Sequence, residues 1–153
     1  MRSLPAINYS KIPVKYRLEE ELTYTLETIE LNAEYKDYFT IRGRTMIIRK
    51  GYAWDGASGP TVDTRSNMLA GCVHDVLYQC IRLGIMSHDF KHAADRELYH
   101  IMRAYGQQHA RSRIGKLWAK ARAWLYYKGV VWFGNSSTKP RKDGEAGEKV
   151  FTA

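Results

Sequence analysis

A histidine followed directly by an aspartate, with a tyrosine one helical turn later, opens the chemistry available to this sequence: His74, Asp75 and Tyr78. Upstream lies the turn Trp54-Asp55-Gly56-Ala57-Ser58-Gly59-Pro60, and downstream the tract Ala93-Ala94-Asp95. A base, an orienting carboxylate and an oxygen-rich loop are parts that hydrolytic sites reuse. A buried polar network that braces a helix pair uses the same groups. His74 and Tyr78, four apart, lie one above the other on a helix. Asp75 points about 100° away, so it cannot both orient the adjacent imidazole and face the same site. Asp95, at the edge of the next apolar stripe, needs a partner if it is buried. His74 is the best placed, with its tautomer set by the carboxylate and its other nitrogen turned to water or substrate; Arg96 or another arginine is the alternative. Gly56 and Gly59 permit positive φ and Pro60 sets the exit, so backbone groups of the turn can face one point; an ordinary strand-to-helix connection uses the same residues. Asp55 and Ser58 add oxygen ligands or turn-capping bonds. His88, His92 and His100 raise a metal reading, without any recognised zinc spacing.

These groups must be positioned by the elements around them. Residues 1–14, with Pro5 and Pro13, read as an irregular lead-in. From Tyr16 the apolar residues alternate (Tyr16, Leu18, then Leu22, Tyr24, Leu26), as in a half-buried strand, and Thr28 to Leu31 either continue it or form a short second one. Tyr38 to Ile41 and Thr45 to Ile48 flank Arg42-Gly43-Arg44 as a hairpin. A first helix is expected over about Asn67 to Leu83, with Leu69, Cys72, Val73, Val76, Leu77, Cys80 and Ile81 on a wide apolar face and Gly84 as its stop. Asp63 or Thr64 can cap its approach. A second runs from about Asp89 to Tyr105 with Ala94, Leu98, Ile101, Met102 and Tyr105 as its stripe. A third runs from Ser112 to Tyr127 with Ile114, Leu117, Trp118, Ala121, Trp124 and Leu125 on one side, before Val130–Phe133, which packs or forms a last short element. The fold class is α+β: a small N-terminal antiparallel sheet over 16–49, then three helices within one domain of residues 1–134. Residues 135–153 read as a flexible tail.

Composition narrows the partners. With 153 residues, 44% hydrophobic, the chain suits a single core. The net charge of +8 favours an anionic partner, nucleic acid or an acidic lipid surface. Arg103, Arg111, Arg113, Lys116, Lys120, Arg122 and Lys128 fall in one acid-free segment, where Trp118 adds an aromatic; a solvated helix face has the same look. No apolar run reaches the roughly 18 residues of a membrane span, and the N-terminus lacks the apolar core of a signal peptide, so no export signal is expected. Cys72 and Cys80 are eight apart on a helix, about 12 Å, which is beyond the reach of a disulfide.

The succession Asp55-Gly56-Ala57-Ser58-Gly59-Pro60, His74-Asp75-Val76-Leu77-Tyr78 and Ala94-Asp95, between N-terminal strands and a tryptophan-rich end, resembles a family of small phage and prophage proteins long classed as a domain of unknown function. That resemblance covers Tyr16 to Phe133. It implies a viral origin, with a place in the virion or the host cytoplasm and a virion or host protein as partner. Residues 54–99 are also similar to phospholipase A2, closest to the lipase segment of parvovirus capsid proteins. This second resemblance implies a phospholipase A2-like helical core. It makes His74 the general base for water, Asp95 its orienting partner and Tyr78 a member of their network. It has Asp75 and carbonyls near Gly56 and Gly59 hold calcium. The chain departs from it in the loop, where Tyr-x-Gly-x-Gly is not matched, and in having no helix-tying disulfides. The basic third helix, through Arg111, Arg113, Lys116, Lys120, Arg122 and Trp118, would then meet an anionic surface. A noncatalytic phage protein, with a structural His/Asp network and a basic helix for nucleic acid or an acidic partner, is the competing class. A third is a metal-dependent hydrolase of cell-wall or phosphate esters using His74, Asp75, His92 and Asp95.

Overall fold

The computed structural model describes residues 4–7, 9–12, 15–55, 65–134 and 138–139. Two small antiparallel sheets precede three helices, so the α+β expectation holds. The strands are β1 (Tyr9–Ile12), β2 (Lys15–Leu18), β3 (Leu22–Thr25), β4 (Ala33–Tyr35), β5 (Phe39–Arg42), β6 (Thr45–Ile48) and β7 (Ala53–Trp54). One sheet has the order β1-β2-β7 and the other β3-β6-β5-β4. The alternation read in the sequence places Leu22, Tyr24, Phe39, Ile41, Met46 and Ile48 in the core. Register pairs Phe39 with Ile48 and Ile41 with Met46, so both strands of the expected hairpin present the same face. Gly43, at φ 60°, turns it.

The N-terminal lead-in is a correction, since Tyr9–Ile12 form a strand paired to β2. Its anchor is aromatic: the Tyr9 ring meets Tyr16 at 5.6 Å and Trp54 at 6.1 Å, both edge-on. Such a strand is held by distant rings, which period-two counting over four residues cannot register. Thr28 to Leu31 form no strand, a second correction. The amides of Glu27 and Thr28 instead donate to Glu97, at 2.8 and 3.1 Å.

The helices are α1 (Arg65–Arg82), α2 (Lys91–His109) and α3 (Arg113–Phe133), with a 3-10 turn His88–Phe90 leading into α2. Helix α1 is central. From Asn67 to Ile81 every side chain but Asp75 is buried, polar ones included. A helix enclosed all round must pair each of its polar groups internally. Gly84, at φ 70°, closes it as expected, with the Ile85 amide returning to the Cys80 carbonyl at 2.9 Å. Cys72 and Cys80 are free thiols in the core. Helix α2 packs against both α1 and α3. Gly106 makes the second contact close, because a Cβ there would overlap the Ala119 methyl. The third helix is continuous to Phe133, so Val130–Phe133 is its last turn and no separate element. Only Ala123, Tyr126 and Val130 of α3 are buried, and the side carrying Ile114, Leu117, Trp118, Trp124 and Leu125 faces outward. The cap of α1 at Asp63 or Thr64 lies outside the described residues, as does the tail apart from Thr138 and Lys139. Thr138 is buried, with its hydroxyl 3.0 Å from His88 Nε2.

Glu97, fully buried on α2, joins the helices to the β3 exit. Its carboxylate accepts from the Tyr24 hydroxyl at 2.8 Å, from the Glu27 and Thr28 amides and from the Thr28 hydroxyl. Burial, with the negative charge of Glu97 beside it, pushes the Tyr24 phenol well above its ordinary value, so Tyr24 stays a donor. Glu97→Ala should therefore cost roughly 2–4 kcal/mol in urea unfolding, because the Tyr24 hydroxyl is left without an acceptor. Glu97→Gln should cost less, and exposed Arg96→Ala no more than about 0.5 kcal/mol. Equal losses at positions 96 and 97 would remove Glu97 from this role.

Candidate functional site

The turn of α1 separates His74 from Asp75, as helical geometry requires. His74 and Tyr78 face α2, where Asp95 is wholly buried. His74 Nε2 lies 2.9 Å from Asp95 Oδ1, and the Tyr78 hydroxyl donates to the same oxygen at 2.6 Å. The imidazole and the phenol ring lie 3.9 Å apart between centroids, tilted by 43°. The histidine–carboxylate contact expected from the sequence thus forms, and Tyr78 belongs to it.

The second oxygen of Asp95 carries a group the sequence reading missed. Lys91, buried one turn earlier on α2, donates to Oδ2 at 2.7 Å and reaches the Val130 carbonyl of α3 at 3.4 Å. Arg96, the arginine considered for this place, is exposed. The signal for Lys91 was present, since lysine and aspartate four residues apart share a helix face. It passes unnoticed because such pairs usually lie in solvent. Burial alone would raise the Asp95 carboxyl, but the bonds from His74, Lys91 and Tyr78 outweigh it and hold the group below the ordinary carboxylate range. Its ionised form therefore adds stability at neutral pH that is lost as pH falls below that range. Burial and the bond to Asp95 push the Tyr78 phenol far up, so it too remains a donor. At the end of α3, Gly134 lies so close to the Tyr78 hydroxyl that a Cβ there would overlap it. The junction of α1, α2 and α3 is built on this one carboxylate.

Asp75 points elsewhere. It is half-buried and accepts from the backbone amide of Asp55, directly after β7. Burial pushes its carboxyl up to about 6, and the Asp55 charge adds to this, against the opposing pull of His74 and Arg82. The donor chemistry of Asp75 and Asp55, both oxygen, fits calcium. Gly56, Ser58 and Gly59 lie outside the described residues. Among the described residues no three His, Cys, Asp or Glu side chains gather as a metal site. His92 is exposed while His74 and Asp95 are buried, and His88 turns to Thr138, so the structure does not bring the histidines together. The Trp54 indole N–H, buried one residue before Asp55, has no hydrogen-bond partner among the described residues.

No family model, curated protein or solved structure matches this chain. Among the described residues no helix is long and apolar enough to cross a membrane.

The raised carboxyl of Asp75 has a measurable sign. Between its ordinary 3.8 and about 6 the folded protein holds a proton that the unfolded chain has released. The contribution of this group to stability therefore falls as pH rises through that window. In chelator, the melting temperature of Asp75→Asn relative to the parent should climb from the lower to the upper value and then level off. A difference that is constant with pH would show that the environment of Asp75 is not as described.

Proposed function

We propose that this protein is a phage-encoded ester hydrolase of the phospholipase A2 type, with His74 as general base and Asp95 as its orienting partner. The observation that supports this reading is the direct contact of His74 Nε2 with Asp95, while Asp75 turns away toward Asp55. With Nε2–H donated to Asp95, the other ring nitrogen, Nδ1, is the acceptor, and it takes the proton of a water as that water attacks the ester carbonyl. Asp95 stabilises the imidazolium that forms. Tyr78 holds the carboxylate in place by donating to the oxygen that receives the imidazole. Asp75 with carbonyls of Gly56 and Gly59, and Asp55 and Ser58 as further ligands, would hold calcium. When bound, that ion polarises the ester carbonyl and stabilises its oxyanion. The bases Arg111, Arg113, Lys116, Lys120 and Arg122 and the ring of Trp118, all exposed, would meet an anionic surface. The viral origin implied by the motif order would put this activity in the virion or the host cytoplasm.

A specific observation favours the noncatalytic class as the second reading. Asp95 is held by three groups from two helices, and Lys91 pairs with its charge, so the carboxylate serves the helix junction as well as the imidazole. In that reading the network is a brace within a virion or host-directed protein, and the basic helix binds nucleic acid or an acidic partner.

Release of fatty acid from mixed anionic vesicles, read with calcium and with chelator, separates the two. For an enzyme, His74→Ala should lower the rate roughly 100- to 10,000-fold. Asp95→Asn should lower it less, and excess calcium should partly restore Asp75→Asn. For a brace, the same variants should lose melting temperature, about 1–3 kcal/mol for each buried group left unsatisfied, with no rate to lose. Folded parent protein that releases nothing from several ester classes in calcium ends the hydrolase reading.

A further inference from the structure

Among the described residues, most of the exposed large hydrophobic side chains lie on the outward side of α3. Ile114, Leu117, Trp118, Trp124, Leu125 and Trp132 are exposed, Trp118 at 73% and Trp132 at 71%. At about 100° per residue, Ile114, Leu125 and Trp132 fall within ~20° of one line along the helix, with Leu117 and Trp124 on one side of it and Trp118 on the other. The buried Ala123, Tyr126 and Val130 occupy the far side. Exposed contiguous apolar surface of this kind marks an interaction site.

We infer that this stripe is a docking surface for an anionic membrane, with α3 lying in the plane of the interface. Charge decides the occupant. Arg113 and Lys120 run along one margin of the stripe and Arg122 stands on the other, all of them exposed, with Lys116 further round toward the buried side. No acid occurs in the sequence between Leu98 and Lys142. Lys128, within the stripe, lays its stem along it and places its ammonium 5.5 Å from the centre of the Trp124 ring. A second copy facing this stripe would set like charges against each other at both margins. A DNA duplex would satisfy the bases and leave Ile114, Leu117 and Leu125 in water. An anionic bilayer satisfies both, since headgroup charges meet the margins and the acyl boundary takes the apolar line. This deepens the proposed hydrolase reading, resting on it only in linking the bound surface to the ester bond attacked.

The test is flotation with phosphatidylglycerol-containing vesicles and with pure phosphatidylcholine vesicles, in chelator, using the full chain and its His74→Ala variant. Both proteins should float with the anionic vesicles alone, with a blue shift in tryptophan emission, and added salt should weaken the binding. Leu117→Glu with Leu125→Glu should reduce partitioning at least about tenfold without loss of melting temperature, since both side chains are exposed. Arg113→Gln with Lys120→Gln and Arg122→Gln should remove the preference for anionic lipid. Binding that is equal on neutral vesicles, or unchanged in the Leu→Glu protein, overturns the inference. So does self-association through the stripe in sedimentation, or binding of a DNA duplex with none to vesicles. Because no turnover is read, a protein that docks without hydrolysing any ester keeps this inference and loses the activity. One that hydrolyses a soluble short-chain ester without docking does the reverse.

Discussion

A carboxylate with no exposure to water, Asp95, sets the terms for the helical half of the molecule. An ionised group in such a place costs several kcal/mol unless its acceptor sites are filled. Here they are filled from two helices, by His74 and Tyr78 of α1 and by Lys91 of α2 itself. Each donor constrains another element. Lys91 carries the network on to the Val130 carbonyl, and Tyr78 leaves space at Gly134 for no side chain. Rotation of any one helix would strand a buried charge, so the three helices are fixed together.

Helix α2 holds a second buried acid two residues on. Asp95 and Glu97 point about 200° apart, so they serve opposite neighbours. Asp95 turns to α1 and α3, and Glu97 to the exit of β3 through Tyr24, Glu27 and Thr28. Layers joined only by apolar contact could slide over each other, whereas directed bonds at both faces of α2 give the sheet and the helices one relative position. The two proposed roles of the His/Asp pair share this origin. The contact that orders an imidazole for catalysis is also the one that ties α1 to α2, so rate and stability must be measured on the same variants.

The contrast with α3 is chemical as well as geometric. Its inward side is small where it meets α2, with Gly106 admitting Ala119, and holds Ala123, Val130 and the one large ring of Tyr126. That narrow contact leaves most of the bulky residues, three tryptophans among them, to the outside. A helix carrying apolar residues on both sides has one more face than the core can cover.

Local patterns in the chain were enough for much of this. Alternation over β3, β5 and β6, the glycine-turned hairpin at Gly43, the extent of α1 and its stop at Gly84 are short-range consequences of side-chain period and backbone freedom. His74 and Asp95 could be paired in advance because helix geometry excludes Asp75 and a buried acid demands a donor. What local pattern could not supply depended on partners far along the chain. Tyr9 becomes a strand residue because the Tyr16 and Trp54 rings stand beside it, and Glu97 is buried because Tyr24 and Thr28 arrive to bond it. Lys91 is an ordinary surface-type helix pair until α1 and α3 close over it. The side of α3 that faces the core was likewise undetermined, since Ile114–Leu125 and Ala119–Val130 are both apolar at helical spacing. The approach of α2 at Gly106 selected the smaller side, because only small residues let two backbones come that close.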